Sequence, residues 1–358
     1  MDLLLGIYHF STNQDEVLSE MYENVKSFPH VLFEEIKKTP ISFGRLKRNL
    51  NLQSLQEPSF FENDKIVLQF TGRLDNKINL IKKYNLNPKT SINQIIAVIY
   101  SIKGNALTHE IEGDWVVSIW NKEKQELFIA RDHLGLTGVF YHKNNDFFCF
   151  SSSLKAITKL KLVSKKLNYN YLISIFESYK LPNGITAYDE IFEIPPGHYI
   201  VVSKNKIETT RYWFLENTKS IYLKDPREYH EGLLEKLTLS VSQRIEPNFR
   251  IGSTLSSGLD SSTISVLASQ ILDNSNQDID TFTYTPCVNL DHLDNFRWKN
   301  NEFEKVKTIL NVYPRIQNTQ IQVHSSSFLS IIEKVLNEHQ LPKHAMRNVA
   351  WIYSLLEK

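Results

Sequence analysis

Eight consecutive residues, Leu255-Ser256-Ser257-Gly258-Leu259-Asp260-Ser261-Ser262, restrict the second half of this chain more than any other feature in it. The run from Arg250 to Leu255 ends in apolar residues and reads as a buried strand. Beyond the stretch, Ile264, Leu267, Ala268, Ile271 and Leu272 recur at helical spacing, which predicts a helix starting near Ser261. A strand, a turn of small residues and a helix together aim backbone N–H groups at one point. The helix dipole adds roughly half a positive charge there. Ser256, Ser257 and Gly258 have so little bulk that phosphate oxygens can approach the main chain. Asp260 can hold a divalent cation, and Ser261 and Ser262 can cap the helix or donate to phosphate. An ordinary capped strand-to-helix turn uses the same residue types, so both readings stand on the stretch alone. No Lys follows the glycine, which excludes a Walker A loop.

The rest of the chain has room for a second core. It has 358 residues, 41% of them hydrophobic, and a formal net charge of +1, which gives no reason to expect a nucleic-acid partner. No apolar run is long enough to span a bilayer, so no membrane partner is expected, and the first ten residues lack the basic start of a secretory signal. Cys149 and Cys287 are too few and too far apart for a disulfide framework or a zinc site, and a reducing cytoplasm is the default location. Strand-like runs cover Leu3 to Tyr8, Lys65 to Phe70, Trp115 to Trp120, Leu127 to Arg131, Val139 to His142, Phe147 to Ser151 and Tyr199 to Ser203. Asn144-Asn145 predicts a hairpin turn, and Ile92 to Tyr100 a helix. A polar segment, 216–228, predicts a linker between a first domain over 1–215 and a second over 229–358. The second domain alternates helix and strand, with an amphipathic helix from Tyr229 to Ile245 and strands at Arg250–Leu255, Thr281–Tyr284 and Gln320–His324. Helices are expected around Phe303–Leu310, Phe328–Leu336 and Ala345–Leu356. This order predicts a parallel sheet covered on both faces.

The stretch at Leu255 resembles the pyrophosphate loop of the ATP pyrophosphatases, SGGxDS, with Ser257 in place of the second Gly. Other landmarks extend the resemblance along the chain. Gly113-Asp114-Trp115 precedes one strand, and Arg131-Asp132-His133-Leu134-Gly135 ends the next. Phe150-Ser151-Ser152-Ser153-Leu154-Lys155-Ala156 and Pro195-Pro196-Gly197-His198-Tyr199 follow, then Arg211-Tyr212-Trp213. In this order they are similar to the asparagine synthetase family. The resemblance implies an N-terminal-nucleophile αββα sandwich, of the type-2 glutamine amidotransferase kind, followed by a parallel-sheet ATP-pyrophosphatase domain of the adenine-nucleotide α-hydrolase-like fold. It implies ATP and Mg²⁺ as cofactors. Leu255 and Tyr284 would pack and read the adenine and ribose, and Ser256, Ser257, Gly258, Leu259, Ser261 and Ser262 would wrap pyrophosphate. Asp260 would hold the metal and serve catalysis. Asn301-Glu302 stands where the family has an acidic pair, with capping and substrate contact both open. Taken singly, Arg131-Asp132 reads as an ion pair closing a strand, and Trp115, Trp120, Tyr212 and Trp213 as core.

Three departures qualify the resemblance. Family glutaminases begin Met-Cys, and removal of Met exposes a Cys that supplies the thiolate. Here the second residue is Asp2, which cannot do that chemistry. Thr71-Gly72-Arg73 replaces an NGE triplet, and the region Arg45 to Arg48 lacks the usual pattern of the glutamine-carboxylate site. The expectation is an inactive glutaminase domain, as in the branch resembling β-lactam synthetases and lasso-peptide cyclases. Finally, the family's metal site is completed by a strand and motif beyond Lys358, so the second domain is expected to be incomplete. A longer gene product, a homodimer or a partner chain would complete it. Three activities follow: an ATP-dependent carboxylate–amine ligase, a macrocyclase using a peptide carboxylate, and an ATP-binding module without turnover. The substrate is a small-molecule or peptide carboxylate in the first two.

Overall fold

The computed structural model describes residues 2–11, 15–48, 57–177, 179, 181–246, 249–294, 301–322, 325–342 and 346–356. Met1, His324 and Ala345, which bound expected features, lie outside the described residues. The chain divides into two compact units, Met1–Thr218 with Glu338–His344, and Lys219–Asn337 with Ala345–Lys358.

The first unit is built on two antiparallel sheets. One contains β1 (Leu3–His9), β2 (Leu32–Lys38), β3 (Ile41–Lys47), β8 (Phe140–Lys143), β9 (Phe147–Ser151) and β10 (Phe192–Glu193), in the order β10-β8-β9-β1-β3-β2. The other contains β4 (Phe60–Glu62), β5 (Ile66–Leu74), β6 (Gly113–Asn121), β7 (Glu126–Arg131), β11 (His198–Val202) and β12 (Ile207–Arg211), in the order β12-β11-β7-β6-β5-β4. Every strand expected from the sequence is present, although β5 runs on through Thr71-Gly72-Arg73. The Asn144-Asn145 turn also forms, with Asn144 Oδ1 accepting from the Asp146 and Phe147 amides.

Three apolar layers hold the sandwich together. Leu4, Tyr8, Phe43, Val67, Val116, Trp120, Ile129 and Phe150 belong to the cluster that draws on both sheets. Because side chains alternate along a strand, Leu3, Leu5 and Ile7 point outward, where α1 (Asp15–Val25) and α4 (Leu154–Thr158) cover them. Ile66, Leu68, Trp115 and Val117 likewise point away from the inter-sheet layer and pack on α3 (Ile92–Lys103). Ser91 and Gln94 start α3 with a reciprocal capping box. This is the αββα arrangement, with two shorter helices, α2 (Lys77–Lys83) and α5 (Tyr169–Glu177), at its periphery. β1 is buried on both faces, which explains why Leu-Leu-Leu-Gly-Ile-Tyr shows no alternation. Trp115, Trp120 and Tyr212 are buried as expected.

The second unit has one parallel sheet of β13 (Ile251–Thr254), β14 (Ile279–Tyr284) and β15 (Ile316–Ile321), in that order. Its helices are α6 (Pro226–Ser242), α7 (Leu259–Asp273), α8 (Phe303–Val312), α9 (Ser325–His339) and α10 (Met346–Leu356). Ile251, Ile279 and Ile316 are register partners and pack with Leu255 against Leu267, Ala268 and Leu272 of α7 and Val306 of α8.

Four expectations need correcting here. The second face of the sheet is covered only in part: Gly252, Thr254, Gln317 and Thr319 are exposed there, whereas Ile321 at the strand end is buried and Tyr284 has the Trp351 ring of α10 beside it. Both crossovers step in the same direction across the sheet, and right-handed crossovers of that kind put α7 and α8 on the same side. The Arg250–Leu255 run is not a buried strand. Its ordered part, Ile251–Thr254, is an edge whose small side chains alternate between half-buried and exposed. The helix after the small-residue turn begins at Leu259 rather than Ser261, because Gly258 takes the extended N-cap conformation. Finally, α6 starts at Pro226, inside the segment read as linker, with Asp225 capping it through the Arg227 amide at 2.9 Å. Of its apolar residues only Val241 is buried. Leu237 packs beside it, while Leu233, Leu234 and Leu239 are exposed.

Gly6 tests the packing between the sheets. A Cβ there would lie 2.0 Å from Phe150 Cε1, and Phe150 is fully buried. Gly6→Ala should therefore cost about 1–3 kcal/mol, read as a lower midpoint in urea unfolding. An unchanged midpoint would contradict this packing.

Candidate functional site

The strand-to-helix stretch of the second unit lies at the carboxyl end of the parallel strands, the usual ligand side of such sheets. Leu255 is buried and fixes the stretch to β14. Its amide donates to the Phe282 carbonyl at 2.9 Å, and its carbonyl accepts from Thr283 Oγ1 at 2.8 Å. Thr283 is held in turn by Asn318, whose Nδ2 donates to the hydroxyls of Thr281 and Thr283 at 2.9 Å each. A buried polar ladder thus positions the turn, and the alternating threonines of Thr281-Phe282-Thr283 are its mark in the sequence.

The turn satisfies many of its own donors. The Ser256 amide donates to Ser261 Oγ at 3.0 Å, the two hydroxyls are 2.7 Å apart, and the Gly258 amide donates to Ser256 Oγ at 3.1 Å. Ser262 Oγ donates back to the Gly258 carbonyl at 2.7 Å. The first intrahelical bond of α7 runs from the Ser262 amide to the Gly258 carbonyl, so the amides of Leu259, Asp260 and Ser261 precede it. Leu259 is 85% exposed, and Asp260 is exposed in the first turn. Ser257 is not among the described non-glycine residues with positive φ, so Ser in place of Gly brings no left-handed strain. These features fit a polyphosphate: small residues, N–H groups at a helix head, and one exposed carboxylate beside them.

The Asn301-Glu302 pair divides its two roles. Asn301 Oδ1 accepts from the Phe303 amide at 3.1 Å, a local cap on α8. The Glu302 side chain makes no cap bond, and its Oε2 instead accepts from the Ser257 amide at 2.9 Å. Nothing in the sequence distinguishes these two neighbours. Tyr284, at the end of β14, has its ring 6.3 Å from that of Trp351 on α10. The structure therefore brings together Leu255 to Ser262 and Glu302.

In the first unit a charged cluster occupies one end of the inter-sheet layer. By strand alternation Asp2, Arg45, Thr71, Arg73 and Asp114 all belong to inner faces. Arg45 makes a two-pronged ion pair with Asp2, at 2.7 Å from both Nε and Nη2, and its Nη1 donates to the Phe70 carbonyl at 2.9 Å. The other Asp2 oxygen accepts from the Arg48 amide at 3.1 Å. Arg73 pairs with Asp114 at 2.6 Å and with Asp75. Burial disfavours the Arg73 charge, but the two aspartates outweigh that, and the guanidinium is held above its usual range. Gly72 and Gly113 let these strands approach, since a Cβ on Gly72 would lie 2.1 Å from the Asp114 carbonyl oxygen. The Arg131–Asp132 pair expected from the sequence does not form. Arg131 pairs with Glu193 at 2.7 Å, whereas Asp132 Oδ1 accepts from the amides of Leu134 and Gly135 and caps that turn. Adjacent residues on a strand point to opposite faces, so they seldom pair.

Comparison with known proteins agrees with both units. Residues 4–213 match the family model of the glutamine amidotransferase domain, and residues 232–350 match that of asparagine synthase. The chain belongs to the asparagine synthase family. It is 30% identical over 204 residues to a putative glutamine-hydrolysing asparagine synthetase 2 of Methanocaldococcus jannaschii, a match covering 56% of this chain and 39% of that one. It is 26% identical over 259 residues to the glutamine-hydrolysing asparagine synthetase 2 of Bacillus subtilis, covering 69% and 34%. The amidase chry2 of Gibberella zeae is 24% identical over 183 residues, covering 50% and 26%. The chain thus spans well under half the length of these curated relatives. The asparagine synthase domain implies ATP use. No helix among the described residues is long and apolar enough to cross a membrane.

The two cysteines differ in exposure. Cys149 is fully buried on β9, and burial pushes its thiol up to about 12, so it is protonated at neutral pH. Cys287 is exposed in the second unit. A thiol reagent at pH 8 should therefore titrate one thiol in the native protein and two in guanidinium. Two fast-reacting thiols under native conditions would contradict the burial of Cys149.

Proposed function

We propose that the second domain activates a carboxylate with ATP and passes the acyl group to an amine, while the first domain does not hydrolyse glutamine. The observation that carries the first part is the Leu255–Ser262 turn, with its small residues, helix-head amides and exposed Asp260, inside the region matching asparagine synthase. In this reading the substrate carboxylate oxygen attacks the α-phosphorus of ATP. The bond from that phosphorus to the β-bridging oxygen breaks, and pyrophosphate leaves into the turn. The amides of Leu259, Asp260 and Ser261 meet the charge that develops on the leaving oxygens, and such preformed donors lower the barrier. Ser261 and Ser262 add hydroxyl donors, Asp260 would hold Mg²⁺, and Leu255 and Tyr284 would border the base. When bound, the cation neutralises phosphate charge. The amine then attacks the acyl carbon, AMP departs, and the amine loses a proton.

The charged cluster of the first unit supports the second part. A free amino acid needs a cation for its carboxylate and an anion for its ammonium group. Arg45 is already bound to Asp2, and Asp114 to Arg73. With Asp2 in place of the family Cys as well, both recognition and chemistry lack a means. The amine would then come from solution or from the substrate itself, and this favours an intramolecular amide, the peptide macrocyclase reading, as the second possibility.

Exchange of labelled pyrophosphate into ATP tests the ligase. Aspartate with ammonia should support exchange in a simple ligase, and a precursor peptide in a macrocyclase. Asp260→Ala should lower exchange on the order of 100-fold and abolish ATP–Mg²⁺ binding by calorimetry. Unchanged ATP affinity in that variant would refute the assignment of the turn. For the first domain, glutamate release from glutamine should be undetectable in the natural protein. It should stay so in Asp2→Cys, because Arg73 still occupies Asp114; release from the natural protein would overturn the inactive reading.

A further inference from the structure

The turn at Leu255 already carries an anion. Of its amides with a polar partner, Ser256 and Gly258 meet serine hydroxyls, which are neutral and can rotate away. Ser257 alone meets a full negative charge, Glu302 Oε2 at 2.9 Å, from a residue 45 positions further along the chain. That carboxylate is not spent on its own helix, since Asn301 supplies the local cap of α8. A carboxylate oxygen on a backbone N–H is a strong, charge-assisted hydrogen bond, and it occupies the kind of donor a phosphate oxygen would use.

We propose that Glu302 is a built-in competitor for the phosphate position, which makes the turn selective for cation-neutralised polyphosphate over the free anion. The inference rests on the nucleotide reading of the turn given above. Without ligand, Glu302 keeps the Ser257 amide satisfied and the turn in shape. A bare polyphosphate has to displace it or lie against its charge. A divalent cation between the two turns that repulsion into attraction, so the same carboxylate then ceases to oppose binding. Asp260 follows Ser257 in the first turn of α7, where it can share such a cation.

Calorimetry with the full chain and inorganic pyrophosphate, in EDTA and in Mg²⁺, tests this. Glu302→Gln keeps an acceptor for the Ser257 amide and removes the charge. In EDTA it should bind pyrophosphate about tenfold tighter than the natural protein, and in Mg²⁺ the gap should close or reverse. Glu302→Ala should shift in the same direction and serves if the Gln variant melts abnormally. If the natural protein binds in Mg²⁺ but neither variant gains affinity in EDTA, the competitor role is wrong. An equal gain under both conditions overturns the selectivity. If no protein binds pyrophosphate or ATP under either condition while all melt cooperatively, the nucleotide reading itself falls.

Discussion

Two sheets packed face to face leave almost no water for the side chains between them, and the first unit depends on how its residues meet that constraint. Through most of the layer the answer is apolar: Leu4, Phe43, Val67, Val116 and Phe150 fill it, and Gly6 makes room for the Phe150 ring. At one end the strands carry Asp2, Arg45, Arg73 and Asp114 on the same inner faces. Charges withdrawn from water need partners, because an unpaired one is costly to bury. Each of the four has a partner of opposite charge there. The pairing that makes these residues tolerable also consumes the groups a zwitterionic ligand would need. In this way a packing requirement bears directly on chemistry.

The turn of the second unit follows the same logic at smaller scale. A helix head leaves amides without acceptors, and neighbouring side chains can satisfy some of them. Ser256 and Ser261 do so with hydroxyls, and Glu302 with a carboxylate. The hydroxyls leave the turn neutral, whereas the carboxylate gives it a charge of its own. Under the proposed nucleotide reading, that difference would separate a site open to any phosphate from one sensitive to the state of its ligand.

Most of the architecture was legible in the chain. The apolar runs of β1, β6, β7 and β9 announce strands because buried β-residues are apolar whatever their neighbours. Spacing alone also marks α3 and α7. Two central features were not legible. β3 carries Arg45 and Lys47 among only three large apolar residues, and it reads as polar although it lies between β1 and β2. The start of α6 was read as linker because its leucines find little to pack against, and a helix of weak amphipathic pattern resembles a polar connection. In the candidate site, Leu255 to Ser262 stood out by residue type; Asn301-Glu302 stood out only by resemblance, and the sequence left open that Asn301 caps the helix while Glu302 reaches the Ser257 amide.

By itself the sequence determined the two kinds of sheet, the order of their strands along the chain and the turn of small residues, because each depends on neighbours within a few positions. Tertiary structure alone decided which charges meet: Arg45 with Asp2, Arg73 with Asp114, Arg131 with Glu193 rather than its neighbour, and Glu302 with the Ser257 amide. It decided too that one face of the parallel sheet is covered only in part. Those outcomes depend on strand register and crossover handedness, which join residues tens of positions apart and leave no periodicity in the chain to read.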